Sequence, residues 1–223
     1  MISACGHSQN RQGEGPGEKK FNIKSLAKSD IDTILDIHVQ EARNHLQELM
    51  IKLYKRNPRE LKKSKYKTAR ENIVRVFDLE HEWNFPELEG KKGADAIQLA
   101  FDNSFEGDRV FSFIVGLTSM LMASYEYKTE FYLFDTVDPQ KLYNSARNIE
   151  IAVWKIEHDM DMNGELFLYS NSLPGEVTNL SYERLFGKLI ATQDMIAIII
   201  ADKTNRVIKK VFQSMATAVF FPI

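Results

Sequence analysis

Apolar residues recur every three or four positions over most of this chain, and that spacing predicts helices. Ile31, Ile34, Leu35, Ala42, Leu46, Leu49, Met50 and Leu53 share one face of a first helix that Ser29 and Asp30 can cap. It ends near Asn57, because Pro58 disfavours helical geometry at the residue before it. A short basic segment then leads into a helix over 66–81, with Ile73, Val74 and Phe77 inward. Residues 83–92, with Pro86 and Gly90, read as a loop. Residues 94–105 and 109–125 form a helical hairpin joined across Gly107. Asp138 before Pro139 starts another helix, running to about residue 160, since the carboxylate can accept from open amides and proline suits a first turn.

Residues 161–180 contain Gly164, Pro174 and Gly175 and form a loop with a short extended piece at 166–169. From 181 to 219 the helical pattern returns through Leu185, Leu189, Ile196, Ile199, Ile200, Val207, Val211 and Met215. A straight helix of that span would be about 58 Å long, too long for a compact domain, so a break is expected over 203–205. The sum is an all-α fold, a compact bundle of about six or seven helices after a disordered N-terminal tether. No internal repeat is visible.

Two stretches qualify that picture. Val110 to Tyr125 carries no charge, but it is shorter than the span of about 20 residues needed to cross a membrane and includes Ser112, Thr118, Ser119 and Ser124. It reads as a central helix buried on nearly all sides. At the C-terminus, Lys203, Arg206, Lys209 and Lys210 precede Val211, Phe212, Met215, Val219, Phe220 and Phe221. An interfacial membrane helix is one reading. Docking into the core, with the basic turn left in solvent, is favoured because most apolar helix faces are core.

Composition makes the remainder an ordinary globular domain, 43% hydrophobic and 27% charged. A net charge of −2 argues against a nucleic-acid partner. The charge is uneven along the chain. Lys52, Lys55, Arg56, Arg59, Lys62, Lys63, Lys65, Lys67 and Arg70 are opposed only by Glu60, whereas nine acids from Asp78 to Asp108 face only Lys91 and Lys92 among lysines in that stretch. These blocks should face each other or lie in solvent. The functional alternative is that Lys52, Lys55, Arg56, Arg59, Lys62 and Lys63, with Tyr54 and Tyr66 interleaved, contact an anionic lipid or glycan surface.

The only cysteine is Cys5, preceded by Ile2, Ser3 and Ala4. This run resembles the lipobox of bacterial lipoproteins, in which an aliphatic and two small residues precede a lipid-modified cysteine. The resemblance implies that Cys5 is the lipid-attachment residue and the mature N-terminus, and that residues 1–4 are the remnant of a signal peptide. No basic n-region or apolar h-region precedes Ile2, so Met1 is expected to lie inside or just after an h-region that begins upstream. Gly6, where an Asp would favour retention at the inner membrane, implies the periplasmic face of the outer membrane. Residues 6–20 lack apolar side chains and are rich in Gly, Gln and charge, so 5–20 read as a flexible tether and 21–223 as a single helical domain.

Chemistry is sparse. His38, Glu41 and His45 fall on one side of the first helix at spacings of three and four and could converge on a metal. Half-buried neutral histidines bordering the apolar stripe are the simpler reading. Glu157, His158, Asp159 and Asp161 close a helix, and Glu80, His81 and Glu82 form a similar run, but adjacent helical residues diverge. No phosphate-cradling loop, nucleophile elbow or zinc-binding cysteine pattern is present, and no cofactor is implied. The expectation is a lipid-anchored helical binding or structural module whose partner is the membrane and another envelope protein or an anionic lipid or glycan. Two alternatives remain: a metal-dependent enzyme using His38, Glu41 and His45, and a cytosolic helical protein binding an anionic membrane or partner.

Overall fold

Capping side chains set where the helices begin. The computed structural model describes residues 28–173, 175–211, 214 and 217–223. Ser29 caps α1 (Asp30–Arg56) in a reciprocal box: its hydroxyl accepts from the Asp32 amide, and the Asp32 carboxylate accepts from the Ser29 amide at 2.7 Å. Thr68 and Glu71 repeat the device at α3 (Ala69–Phe77). Asp108 caps α5 (Arg109–Ser124), and Asp138 caps α6 (Pro139–His158), with Pro139 in its first turn. The remaining helices are α2 (Pro58–Lys63), α4 (Gly93–Ala100) and α7 (Ser181–Thr204), with a 3₁₀ turn at Pro86–Leu88. Seven α-helices and no strand lie among the described residues, so the all-α bundle is borne out. The tether and Cys5 lie outside them.

Helix α5, uncharged after Arg109, is the axis of the bundle. All its residues except Ala123 are buried. α4, α1 and α6 pack around it, and α7 lies against α6 and α1. One continuous apolar cluster results, running from Leu35 on α1 through Phe113 on α5 to Ile200 on α7. The hydroxyls of α5 are absorbed locally: Thr118 donates to the Ile114 carbonyl, Ser119 to Val115, and Ser112 across to Ala96 on α4. Among the described residues no helix is long and apolar enough to cross a membrane.

Close approach of α4 to α5 requires Gly116. A Cβ there would stand 2.6 Å from Ile97 Cγ1, 2.7 Å from the Ile97 amide nitrogen and 2.8 Å from the Gly93 carbonyl oxygen. Two of those three atoms belong to backbone and cannot swing aside.

Several boundaries differ from the sequence reading. The basic segment after Asn57 is itself the short helix α2. The helix expected over 66–81 spans only 69–77, and Asn72, Val76 and Phe77 are its buried residues, with Ile73 and Val74 half-buried. Asn72 can be buried because its amide bonds Ser64 and the Thr68 carbonyl. The helix expected over 94–105 stops at Ala100. The extended piece at 166–169 is reduced to one antiparallel bridge between Met160 and Leu166.

The helix expected to continue to 219 ends at Thr204, at the anticipated break. Asn205 adopts a left-handed conformation (φ 50°), and the Arg206 amide closes back on the Ala201 carbonyl at 3.0 Å. Val207, which fitted the helical period, is 90% exposed. The chain beyond lies along α6 without helix over 205–211. Gln140 accepts from the Lys209 amide and donates to its carbonyl, and Asn148 does the same for Phe221. Phe220 and Ile223 pack against the core.

These contacts separate two glycines. Gly116→Ala should lower stability by about 1–3 kcal/mol through overpacking. Gly187→Ala, on the exposed face of α7 with nothing near its Cβ, should raise it by about 1 kcal/mol through helix propensity. Denaturant melts of the two variants check both signs.

Candidate functional site

A helix buried along its length brings its first-turn amides into the interior, where water cannot satisfy them. Two buried carboxylates do so at the start of α5. Asp108 Oδ1 accepts from the Phe111 amide at 2.9 Å, and its Oδ2 accepts from the Tyr54 hydroxyl at 2.7 Å. Glu60, on α2 and 1% exposed, accepts from the Arg109 amide at 2.9 Å. Lys63 Nζ bonds both Glu60 oxygens at 3.0 Å, and Arg59 Nε approaches at 3.4 Å. The negative pair also complements the positive end of the α5 dipole.

Arg109 points the opposite way, into the C-terminal end of α4. Its guanidinium donates to the carbonyls of Ala100, Asp102 and Phe105 at 2.7–2.8 Å and lies 4.6 Å from the Phe167 ring centroid. One residue thus ends α4 and begins α5.

Burial dominates the protonation of this cluster. It pushes Asp108 up to about 6, against the pull of the Phe111 amide and the Tyr54 hydroxyl. It pushes the Tyr54 hydroxyl far above its ordinary value, with the Asp108 charge adding to the shift, and lowers Arg109.

Two clefts flank the cluster. One, about 280 Å³, is lined by Arg59, Glu60, Lys63, Asn103, Arg109 and Asp161 among others. The second, about 420 Å³, has Lys63, Lys65, Arg75, Glu87, Asp108 and Phe111 in its wall. Lys63 lines both. The oxygens of Asp108 and Glu60 are held by donors within the protein.

Of the six basic residues singled out from the sequence, Arg59 and Lys63 line the first cleft. Lys52 donates to the Ser181 hydroxyl at 2.6 Å and lies over the Tyr182 ring. Arg56 pairs with Glu176 and lies over Tyr169. Those two hold the end of α1 against the 165–182 region. Lys55 and Lys62 are exposed. Among the described residues no ion pair joins a base of 52–70 to an acid of 78–108; Glu87 is bonded through both oxygens by Arg75, which lies beyond the basic block, and Asp108 by Tyr54. The basic segment instead pairs with Glu165 and Glu176, outside the acidic block.

His38, Glu41 and His45 do not converge. Glu41 is exposed and accepts from Asn44, whereas His38 and His45 are half-buried with Nδ1 atoms lacking a partner. Burial lowers the pKa of His38, whose other contact is the Thr192 backbone on α7. Among the described residues no group of three or more His, Cys, Asp or Glu is placed to hold a metal. The 157–161 cluster resolves differently: Asn171 donates to Glu157 at 2.6 Å and to Glu183 at 2.7 Å, and burial with the neighbouring Glu183 raises Glu157 to about 7.

Asp108 and Arg109 were not among the residues expected to form a site, and Tyr54 was expected to face an anionic surface rather than a buried carboxylate. The signals were an Asp-Arg pair immediately before an uncharged run, and Glu60 as the lone acid in a basic segment.

Fold and cleft together define a helical bundle with a polar recess built around a buried helix N-terminus. Compared with protein-family models, curated proteins and solved structures, the chain matches none of them.

The raised acids make stability depend on pH. Asp108 and Glu157 hold protons more tightly in the folded protein than in the unfolded chain, where about 3.8 and 4.5 apply. Their contribution is therefore full below about pH 4 and is lost as pH rises to about 7. Asp108 accounts for about 3 kcal/mol at most. In urea melts across that range, Asp108→Asn should flatten the lower part of the decline and Glu157→Gln the upper part. An unchanged pH slope in both variants would contradict this assignment.

Proposed function

We propose that this chain is a lipid-anchored envelope lipoprotein, attached through Cys5 at the periplasmic face of the outer membrane and acting as a helical binding or structural module. The observation that carries the reading is the run Ile2-Ser3-Ala4-Cys5, which contains the only cysteine of the chain. Supporting it is the direction of α1. The helix starts at Ser29, where the chain arrives from Cys5, and its 27 residues carry the fold about 40 Å to Asn57. The clefts at Arg59 and Lys63 therefore stand away from the anchored end.

Binding is favoured over catalysis because Asp108 and Glu60 are occupied in capping α5. Arg59, Lys63 and Lys65, beside Asn103 and Ser64 in the cleft walls, suit a polar partner carrying an anionic group, such as an envelope protein or a glycan.

Intact-mass analysis of the protein expressed from its native locus with its upstream DNA tests the anchor. The expected product begins at Cys5 with added acyl mass that Cys5→Ala abolishes. An unmodified chain beginning at Met1 would contradict the proposal.

A further inference from the structure

Three large apolar side chains stand exposed at the end of the bundle where the chain enters. Phe134 is 94% exposed and Leu133 57%, on the loop between α5 and α6, and Val207 is 90% exposed just beyond α7. The two segments meet at one recess. Leu133 shares the wall of a shallow recess of about 230 Å³ with Ser29 at the start of α1 and with Lys203 and Arg206. Apolar groups of this size left in water at one tip mark a contact surface rather than scattered exposure.

Basic residues border the same tip. Lys203, Arg206, Lys209 and Lys210 are all exposed, with no acid between Lys203 and Val211. Arg206 stands 4.0 Å from Asp138, while Lys203, Lys209 and Lys210 form no ion pair with a described residue. Asp202 is the exposed acid beside them in the chain, Asp30 is exposed at the start of α1, Glu130 is exposed on the loop that carries Phe134, and Lys128 pairs with Asp135. The basic run is not a loose tail, because Gln140 bonds both the amide and the carbonyl of Lys209 and fixes it beside α6.

We infer that this tip, with Phe134 and Leu133 as apolar anchors and Lys203, Lys209 and Lys210 as the cationic rim, rests on an anionic lipid bilayer. Aromatic and aliphatic groups entering the headgroup region beside lysines that meet phosphate is the chemistry of interfacial attachment. The position agrees with the anchor. Twenty-two residues separate Cys5 from Lys28 and can span at most about 80 Å, and they join the fold on this side, opposite the clefts. The inference rests on the lipoprotein reading only for the direction of approach, since the surface itself is defined by exposure and charge.

The test uses the full chain with Cys5→Ala, which carries no acyl group, so that its outcome is independent of lipidation. Vesicles of phosphatidylglycerol and phosphatidylethanolamine should sediment the protein, and vesicles of phosphatidylcholine should not. Phe134→Asp with Val207→Asp should weaken binding about tenfold or more, as should Lys203→Glu with Lys209→Glu and Lys210→Glu. Lys55→Glu with Lys62→Glu, at the far end, should leave it unchanged. Phe134→Trp should blue-shift in emission on adding the anionic vesicles. Absence of binding, or binding lost only in the Lys55 and Lys62 variant, would overturn the inference. All these positions are exposed, and a circular dichroism melt confirms that each variant is folded.

Discussion

Burying a helix on every side leaves its ends as the problem, and the solution at the N-terminus of α5 organises this molecule. Arg109 to Phe111 present amides to an interior without water. Asp108 and Glu60 meet them, and each buried carboxylate then needs its own partners. Tyr54 from the end of α1 supplies one, and Lys63 with Arg59 from α2 supplies the others. This chain of requirements brings α1, α2, α4 and α5 to one point. It also explains why a basic segment surrounds a single acid. The clefts are the space left at the edges of that arrangement.

A second constraint governs the segments that are not helical. Their backbone has no neighbouring strand, yet parts of it lie against the bundle. Three amide side chains act as substitute strands. Asn57 bonds the amide and carbonyl of Tyr169, Gln140 those of Lys209, and Asn148 those of Phe221. A primary amide offers the same donor and acceptor as a peptide group, so each fixes one residue of an irregular segment without a sheet. Asn57 has a double role, since it also closes α1 through the Leu53 carbonyl.

Much of the fold was legible along the chain because its signals are local. Ser29 and Asp138 announced helix starts, Pro58 a stop, and the uncharged stretch after Arg109 a central helix. The C-terminal tail was misread because Val207 and Val211 match a helical period that Asn205 ends by turning left-handed. The short helix at Pro58–Lys63 was hidden by its charge. The site was harder to see. Glu60 and Asp108 are 48 positions apart in the sequence, and nothing local says that they meet at one helix end. The His38, Glu41 and His45 spacing was visible, but exposure separates Glu41 from the two histidines.

The account stands on the α5 N-terminus being sealed by protein groups, and native-state hydrogen exchange measures that directly. If Glu60 and Asp108 hold the Arg109 and Phe111 amides in a dry interior, those amides should be protected to the same degree as that of Ser119 in the middle of the helix, and Glu60→Ala should release Arg109 first. Fast exchange of Arg109 and Phe111 in the unmodified protein, with Ser119 still protected, would show a frayed end open to water and would contradict the account.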